Sequence, residues 1–237
     1  KNIPNFLSLH SYSKAIHIIR DPRSVLSSWK KLSSIGNFAY LNCIFNWYDS
    51  AHYMINYKSN LSESDYFPVI YEDLMKNPEE ETKKIINFLG LSFEKSLIDS
   101  NMWVDKLNSN KLVSIPRSAH EGNNILGFSM DRTKNWKKNL DDWEILFLEY
   151  CLTEEMIKFN YTPVTTLNER TKDINLILKD KVFKNELLHK NYFELKNNKK
   201  GSSNYPMDPC DPLSWGTKND PSKWFRDTTD FKLYSKE

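Results

Sequence analysis

Apolar residues along the chain follow two different periods. Ala15–Ile19 (AIHII) and Phe67–Tyr71 (FPVIY) are short, β-branched runs, each closed at once by a turn signal. They predict buried strands, the first a central parallel one. Pro68 stands near the start of the second run, where proline is tolerated. Elsewhere the apolar positions recur at helical spacing. Val25, Leu26, Trp29 and Leu32 predict a helix behind the first strand, docked on the sheet by that face. Phe38, Leu41, Ile44/Phe45, Tyr48, Ala51/His52 and Ile55 predict a long helix over Asn37–Lys58, with His52 a satisfied core histidine. Thr82, Ile85/Ile86 and Leu89 predict the buried face of a helix behind the second strand. Trp143, Leu146/Phe147, Tyr150/Cys151 and Ile157 predict another, and Leu176, Leu178 and Leu187/Leu188 a last helix over Asp173–His189.

The polar punctuation agrees. Asp21-Pro22 and Asn77-Pro78 each place a capping side chain before a proline suited to the first helical turn. Gly90 ends one helix, and Asp141 with Glu144 forms a capping box at the start of another. Pro4 holds Ile3 extended, and a short helix can follow it before Tyr12. Phe93–Lys111 reads as a short packed helix or turn around Leu97, Ile98 and Trp103, and Pro116–Met130 as a loop rich in Ser, Asn and Gly. Strands followed by helices predict an α/β class with a parallel sheet flanked by helices. The character changes after residue 164. Residues 165–237 are read as an extension of one helix plus a wrapping tail anchored by Tyr205, Trp215 and Trp224, and residues 1–164 as the main domain.

Composition narrows the classes. The 237 residues suffice for one domain with a core plus an appendage. A net charge of +2 gives no sign of a bulk nucleic-acid or membrane binder and allows a local phosphate site. Cys43, Cys151 and Cys210 are odd in number and lack metal spacing, which argues against a disulfide framework and a zinc site. With no signal peptide and no apolar run of spanning length, the expected location is cytoplasmic, an upstream anchor being left open.

The chemistry concentrates at Ala15–Leu32. Arg20 leaves the first strand at its carboxyl end, where open α/β sheets bind ligands, and Ser28 follows about two helical turns on. A guanidinium and a hydroxyl so placed can share one phosphate; alternatively, Arg20 pairs with a carboxylate and Ser28 has no special partner. His120-Glu121 lacks the geometric warrant for an acid–base pair.

Arg-x-Pro-Arg-x-x-x-x-Ser after an apolar strand resembles the 3′-phosphate-binding segment of PAPS-dependent sulfotransferases, of the tyrosylprotein and bacterial types. PAPS is 3′-phosphoadenosine 5′-phosphosulfate. The run VIYEDLMKNPEEETKKIINFLGL resembles a second signature of that family, and Arg132–Tyr161 its basic-Trp segment. The resemblance covers about residues 1–162 and implies a P-loop, nucleotide-kinase-like fold. It implies that Arg20 and Ser28 hold the 3′-phosphate of PAPS or of adenosine 3′,5′-bisphosphate, and that Tyr71 packs near the adenine. By the same resemblance Lys134 and Lys137 reach cofactor phosphates, and Arg117 and Ser118 contact the cofactor. Asn135 stands where the tyrosylprotein enzymes carry a lysine before the tryptophan, so which of the two lysines reaches phosphate stays open. Lys1 resembles the lysine that steadies the leaving phosphate oxygen; a solvated terminal lysine is the alternative.

The family's first strand and its Ser-Gly-Thr-type phosphosulfate loop are not found in this sequence. The chain is therefore expected to carry the later part of a catalytic domain, completed by an upstream segment or a second chain. The implied activity is transfer of a sulfuryl group to a hydroxyl or amine on a small-molecule, glycan or peptide acceptor, without metal. The alternatives are a non-catalytic bisphosphate-binding module and a small-molecule kinase; the latter is disfavoured because G-x-x-x-x-G-K-[ST] does not occur.

Overall fold

The computed structural model describes residues 3–10, 12–32, 38–102, 127–199 and 201. After a short helix α1 (Ile3–Leu9), strand β1 (Ala15–Ile19) runs into helix α2 (Pro22–Leu32). A 3-10 turn, Phe38–Leu41, leads into α3 (Asn42–Asn60), so the long helix predicted over 37–58 starts later and is preceded by a tighter turn. Strand β2 (Tyr66–Ile70) pairs parallel to β1, from Ala15 opposite Tyr66 to Ile19 opposite Ile70. Tyr71 already belongs to helix α4 (Tyr71–Lys76), which is followed by α5 (Pro78–Leu89). Later come α6 (Trp136–Asn139), α7 (Asp142–Lys158), α8 (Leu167–Lys172), α9 (Ile174–Ile177) and α10 (Glu186–Phe193). The class is α/β, with two parallel strands and helices around them.

The core lies between α3 and α7 rather than across the sheet. Ile44, Phe45, Phe147, Leu148, Leu152 and Met156 are buried, and the Phe45 and Phe147 rings meet edge to face at 6.4 Å. Among the described residues β1 is one of a pair. Ile19 is buried while Ile16 and Ile18 are exposed, so the apolar run does not make a strand covered on both faces. His17, on the covered face, is held between the Tyr66 hydroxyl at Nδ1 and the Ser50 hydroxyl at Nε2, each 2.8 Å away. Burial pulls its pKa down to about 4.

Several local expectations need correction. On α2, Leu26 is buried but Trp29 is exposed, and the covered face is mostly polar: Arg23, Ser24 and Ser27. Hydrophobic spacing misses it because those three side chains are buried by hydrogen bonds. The α5 face of Thr82, Ile85, Ile86 and Leu89 is only half-buried, and Asn77 makes no side-chain cap bond. Gly90 does end the helix, in the left-handed conformation that glycine adopts freely. Helix α7 is covered nearly all round, with Glu144, Glu149 and Glu155 buried, whereas Ile157 is exposed. His52 is exposed, bonded to Glu155 at 3.0 Å.

The single helix expected over Asp173–His189 is broken into α9, a π-helical turn at Leu178–Val182, and α10. Ile174, Leu178, Val182, Leu188 and Leu195 join the α3–α7 core. Farther on, Gly201 donates its N–H to Asp49 at 2.7 Å and lies so close to α3 that a Cβ there would strike the Phe45 carbonyl. The anchors Tyr205, Trp215 and Trp224, and Trp103, Cys210, His120 and Glu121, lie outside the described residues. Cys43 and Cys151 are buried free thiols.

Candidate functional site: the β1–α2 junction

The junction is built by the backbone first. Asp21 caps α2, its Oδ1 accepting the Arg23 N–H at 2.9 Å, and its carbonyl receives the first intrahelical bond from Val25. The Arg20 carbonyl accepts from Trp47 Nε1 at 2.8 Å. The Asp21 N–H donates to Glu72 Oε1 at 3.1 Å, and the other Glu72 oxygen accepts the Tyr161 hydroxyl at 2.7 Å. Burial, then the Glu72 carboxylate, raises the Tyr161 pKa, so the phenol stays a donor. Helix α3, the start of α4 and the end of α7 thus fix the two residues at which β1 turns into α2.

On this base the Arg20 guanidinium lies 4.4 Å over the Tyr71 ring, a cation–π stack that joins the two carboxyl ends of the strands. Its Nη2 donates to the Arg132 carbonyl at 2.6 Å. Its Nε is buried and has no hydrogen-bond partner among the described residues. A guanidinium has five donors, so most of this one remains available. The expected alternative, pairing of Arg20 with a carboxylate, does not occur among the described residues.

The turn Met130–Thr133 and helix α6 pack along α2. Ser24 Oγ donates to the Thr133 carbonyl at 2.9 Å, and Asn139 Nδ2 to Ser27 Oγ at 3.1 Å. This brings the basic-Trp segment beside the motif, as its side chains dictate. Lys134 is exposed, and the Lys137 ammonium lies 5.6 Å from the Trp136 ring centre. Neither lysine has an ion-pair partner among the described residues. Ser28 Oγ donates to the Ser24 carbonyl one turn back, at 3.1 Å. Its lone pairs remain open, but its hydrogen must turn away from that carbonyl to reach an anion.

Arg23, the motif's second arginine, goes the other way. It points into the protein, bonded to both oxygens of Asp21, to Glu149 and to the Thr162 carbonyl. Its guanidinium lies 4.3 Å from the Trp136 ring centre. Burial works to lower its pKa, but its bonds to Asp21 and Glu149 outweigh that and leave it raised. Lys1, Arg117 and Ser118 lie outside the described residues. Sequence reasoning missed Trp47, Glu72, Glu149 and the role of Arg23. Arg23 and Glu72 lie inside the motifs, whereas Trp47 lies off the apolar stripe predicted for its helix and Glu149 reads as a solvated helix glutamate.

Similarity to known proteins points the same way as this geometry. Residues 1–95 match the model of the Sulfotransferase family. Arg20, Ser28 and Tyr71 all fall within this matched stretch. The chain is similar to carbohydrate sulfotransferase 1 of Danio rerio, 25% identical over 189 residues, covering 72% of this chain and 43% of the relative. It is also similar to protein-tyrosine sulfotransferase 2 of Gallus gallus, 28% identical over 128 residues, covering 52% and 34%. The chain thus spans less than half the length of these curated relatives. Among solved structures, the sulfotransferase domain from the curacin biosynthetic pathway aligns with a TM-score of 0.47 at 19% identity, covering 67% of this chain and 57% of that one. That from the Synechococcus PCC 7002 olefin synthase aligns at 0.46 and 21%, covering 62% and 49%.

Proposed function

We propose that this protein is a PAPS-dependent sulfotransferase and that Arg20 and Ser28 hold the 3′-phosphate of the nucleotide. The observation that carries this reading is Arg20 itself. It stands at the carboxyl end of a parallel strand, stacked on Tyr71, with a buried Nε that no group among the described residues satisfies. A buried donor left without a partner costs on the order of 1–3 kcal/mol, and a phosphate oxygen would repay it with a charge-assisted bond. The residues therefore fit the ligand. Tyr71 presents the other end of the same stack, and Lys134 and Lys137 supply cations along the adjoining segment.

When bound, PAPS supplies an activated sulfuryl group, which an acceptor hydroxyl or amine attacks in line at sulfur. The part of the chain described above binds and orients: Arg20 fixes the 3′-phosphate, Ser28 turns its hydroxyl to it, and Tyr71 keeps the guanidinium plane in place. The similarity to carbohydrate and protein-tyrosine sulfotransferases supports a glycan or peptide acceptor. Incubation of the complete protein with PAPS and a panel of sulfatable glycans and tyrosine peptides tests the activity. Release of adenosine 3′,5′-bisphosphate with a sulfated product is expected. Nucleotide binding without release on any acceptor would leave a binding module, and no binding of either nucleotide would overturn the reading.

A further inference from the structure

The motif carries two arginines, and only the first fits a ligand contact. Arg23 uses four of its five donors inside the protein. The knot around it joins parts of the chain far apart in sequence. Asp21, whose N–H rests on Glu72, gives both carboxylate oxygens to Arg23, the closest pair at 2.7 Å. Glu149, fully buried on α7, takes Arg23 Nη1 at 3.0 Å. The same carboxylate accepts the N–H groups of Val164 and Thr165 and the Thr165 hydroxyl. Trp136, stacked on Arg23, belongs to the helix that carries Lys137.

Two consequences bear on the junction. Position is the first. Arg23, Asp21 and the Arg20 backbone are consecutive parts of one turn, so shifting the Arg23 fork shifts the start of α2 and the Trp136 segment together. Charge is the second. The Asp21 carboxylate adjoins Arg20 in sequence and, uncovered, would repel a phosphate there. The Arg23 fork covers both of its oxygens. Stability alone does not explain the arrangement, because a buried ion-pair cluster is often no more stable than apolar residues of the same volume.

We infer that Arg23 and Glu149 form a positioning clamp for the phosphate site, touching no ligand but setting where Arg20 and the Trp136 segment stand. The inference rests on the phosphate-site reading above. It draws α7 and residues 162–165, outside the segment matched to the family, into the site's machinery.

A double-mutant cycle on the complete protein tests it. Affinities for adenosine 3′,5′-bisphosphate and adenosine 5′-phosphate are measured by calorimetry for the parent, Arg23→Lys, Arg20→Ala and the double variant. Arg23→Lys keeps the charge but loses the fork and the stack. It should weaken bisphosphate binding about tenfold and leave the monophosphate within about twofold. In the Arg20→Ala background the same change should alter bisphosphate affinity by less than about twofold, because the clamp acts through Arg20. If Arg23→Lys does not fold, Glu149→Gln, nearly equal in shape, takes its place in the cycle. Equal losses for both nucleotides, or full additivity with Arg20→Ala, would overturn the clamp alone. Bisphosphate affinity unchanged in Arg20→Ala would instead overturn the phosphate-site reading, and the clamp with it.

Discussion

Arg20 and Arg23 stand three residues apart in one motif and meet opposite conditions. Arg23 is buried with its donors matched to two carboxylates and a carbonyl. Among the described residues Arg20 has one hydrogen bond, to the Arg132 carbonyl, and a buried Nε without a partner. The inner arginine is closed, and the outer one is held in place by a ring and a carbonyl while its charge stays uncompensated. The difference separates a cation that the protein itself pairs from one that no described carboxylate pairs. The test is whether the protein itself supplies the anion.

The contrast is most easily broken at its closed side. Arg23→Leu leaves the buried Asp21 carboxylate without its ion-pair partner, and Glu149 with only the more distant Arg170, a loss of about 3–5 kcal/mol. Arg20→Leu removes no ion pair and should cost less than about 1 kcal/mol. Urea unfolding of the two variants checks this, and similar losses would mean that the arginines do not differ as described. A second buried polar group sharpens the point on the sheet side. His17 is neutral in the fold, with a pKa near 4 against an ordinary 6.5, so the unfolded chain binds the extra proton between those values. Stability should therefore be fully present above about pH 6.5, fall by up to roughly 3 kcal/mol as the pH drops towards 4, and change no further below that through this group. A His17→Gln variant should lack that slope in pH-dependent denaturation curves. The smallest effect belongs to Ser28. In the proposed site its hydroxyl leaves the Ser24 carbonyl to reach the ligand, so Ser28→Ala should weaken bisphosphate binding only several-fold, about 1 kcal/mol. A hundredfold loss in a titration would give Ser28 a larger role than this geometry allows.

Both strands, the capping of α2 by Asp21, the stop at Gly90 and the Asp141–Glu144 capping box were legible in the sequence, because each depends on residues close together in the chain. Arg20 and Tyr71 were legible as candidate site residues from their motifs, but not their stacking on each other. The buried polar face of α2 was not legible. Hydrophobic spacing predicts which face is apolar, whereas Arg23, Ser24 and Ser27 are buried by partners more than a hundred residues away. Glu149 shows the same limit: a glutamate within a helix reads as solvated until the turn at 164–165 wraps its donors around it. The break in the last predicted helix was hidden for another reason. Leu178 and Val182 keep helical spacing through the π turn.

The central claim is that the uncompensated donors of Arg20 bind a 3′-phosphate, and calorimetric titration of Arg20→Ala against the parent protein tests it most directly. A charge-assisted bond of about 1.5–3 kcal/mol predicts that adenosine 3′,5′-bisphosphate binds about ten- to hundredfold more weakly to the variant. Adenosine 5′-phosphate, which lacks the 3′ group, should bind both proteins alike. Unchanged bisphosphate affinity, or equal loss for both nucleotides, would contradict the account.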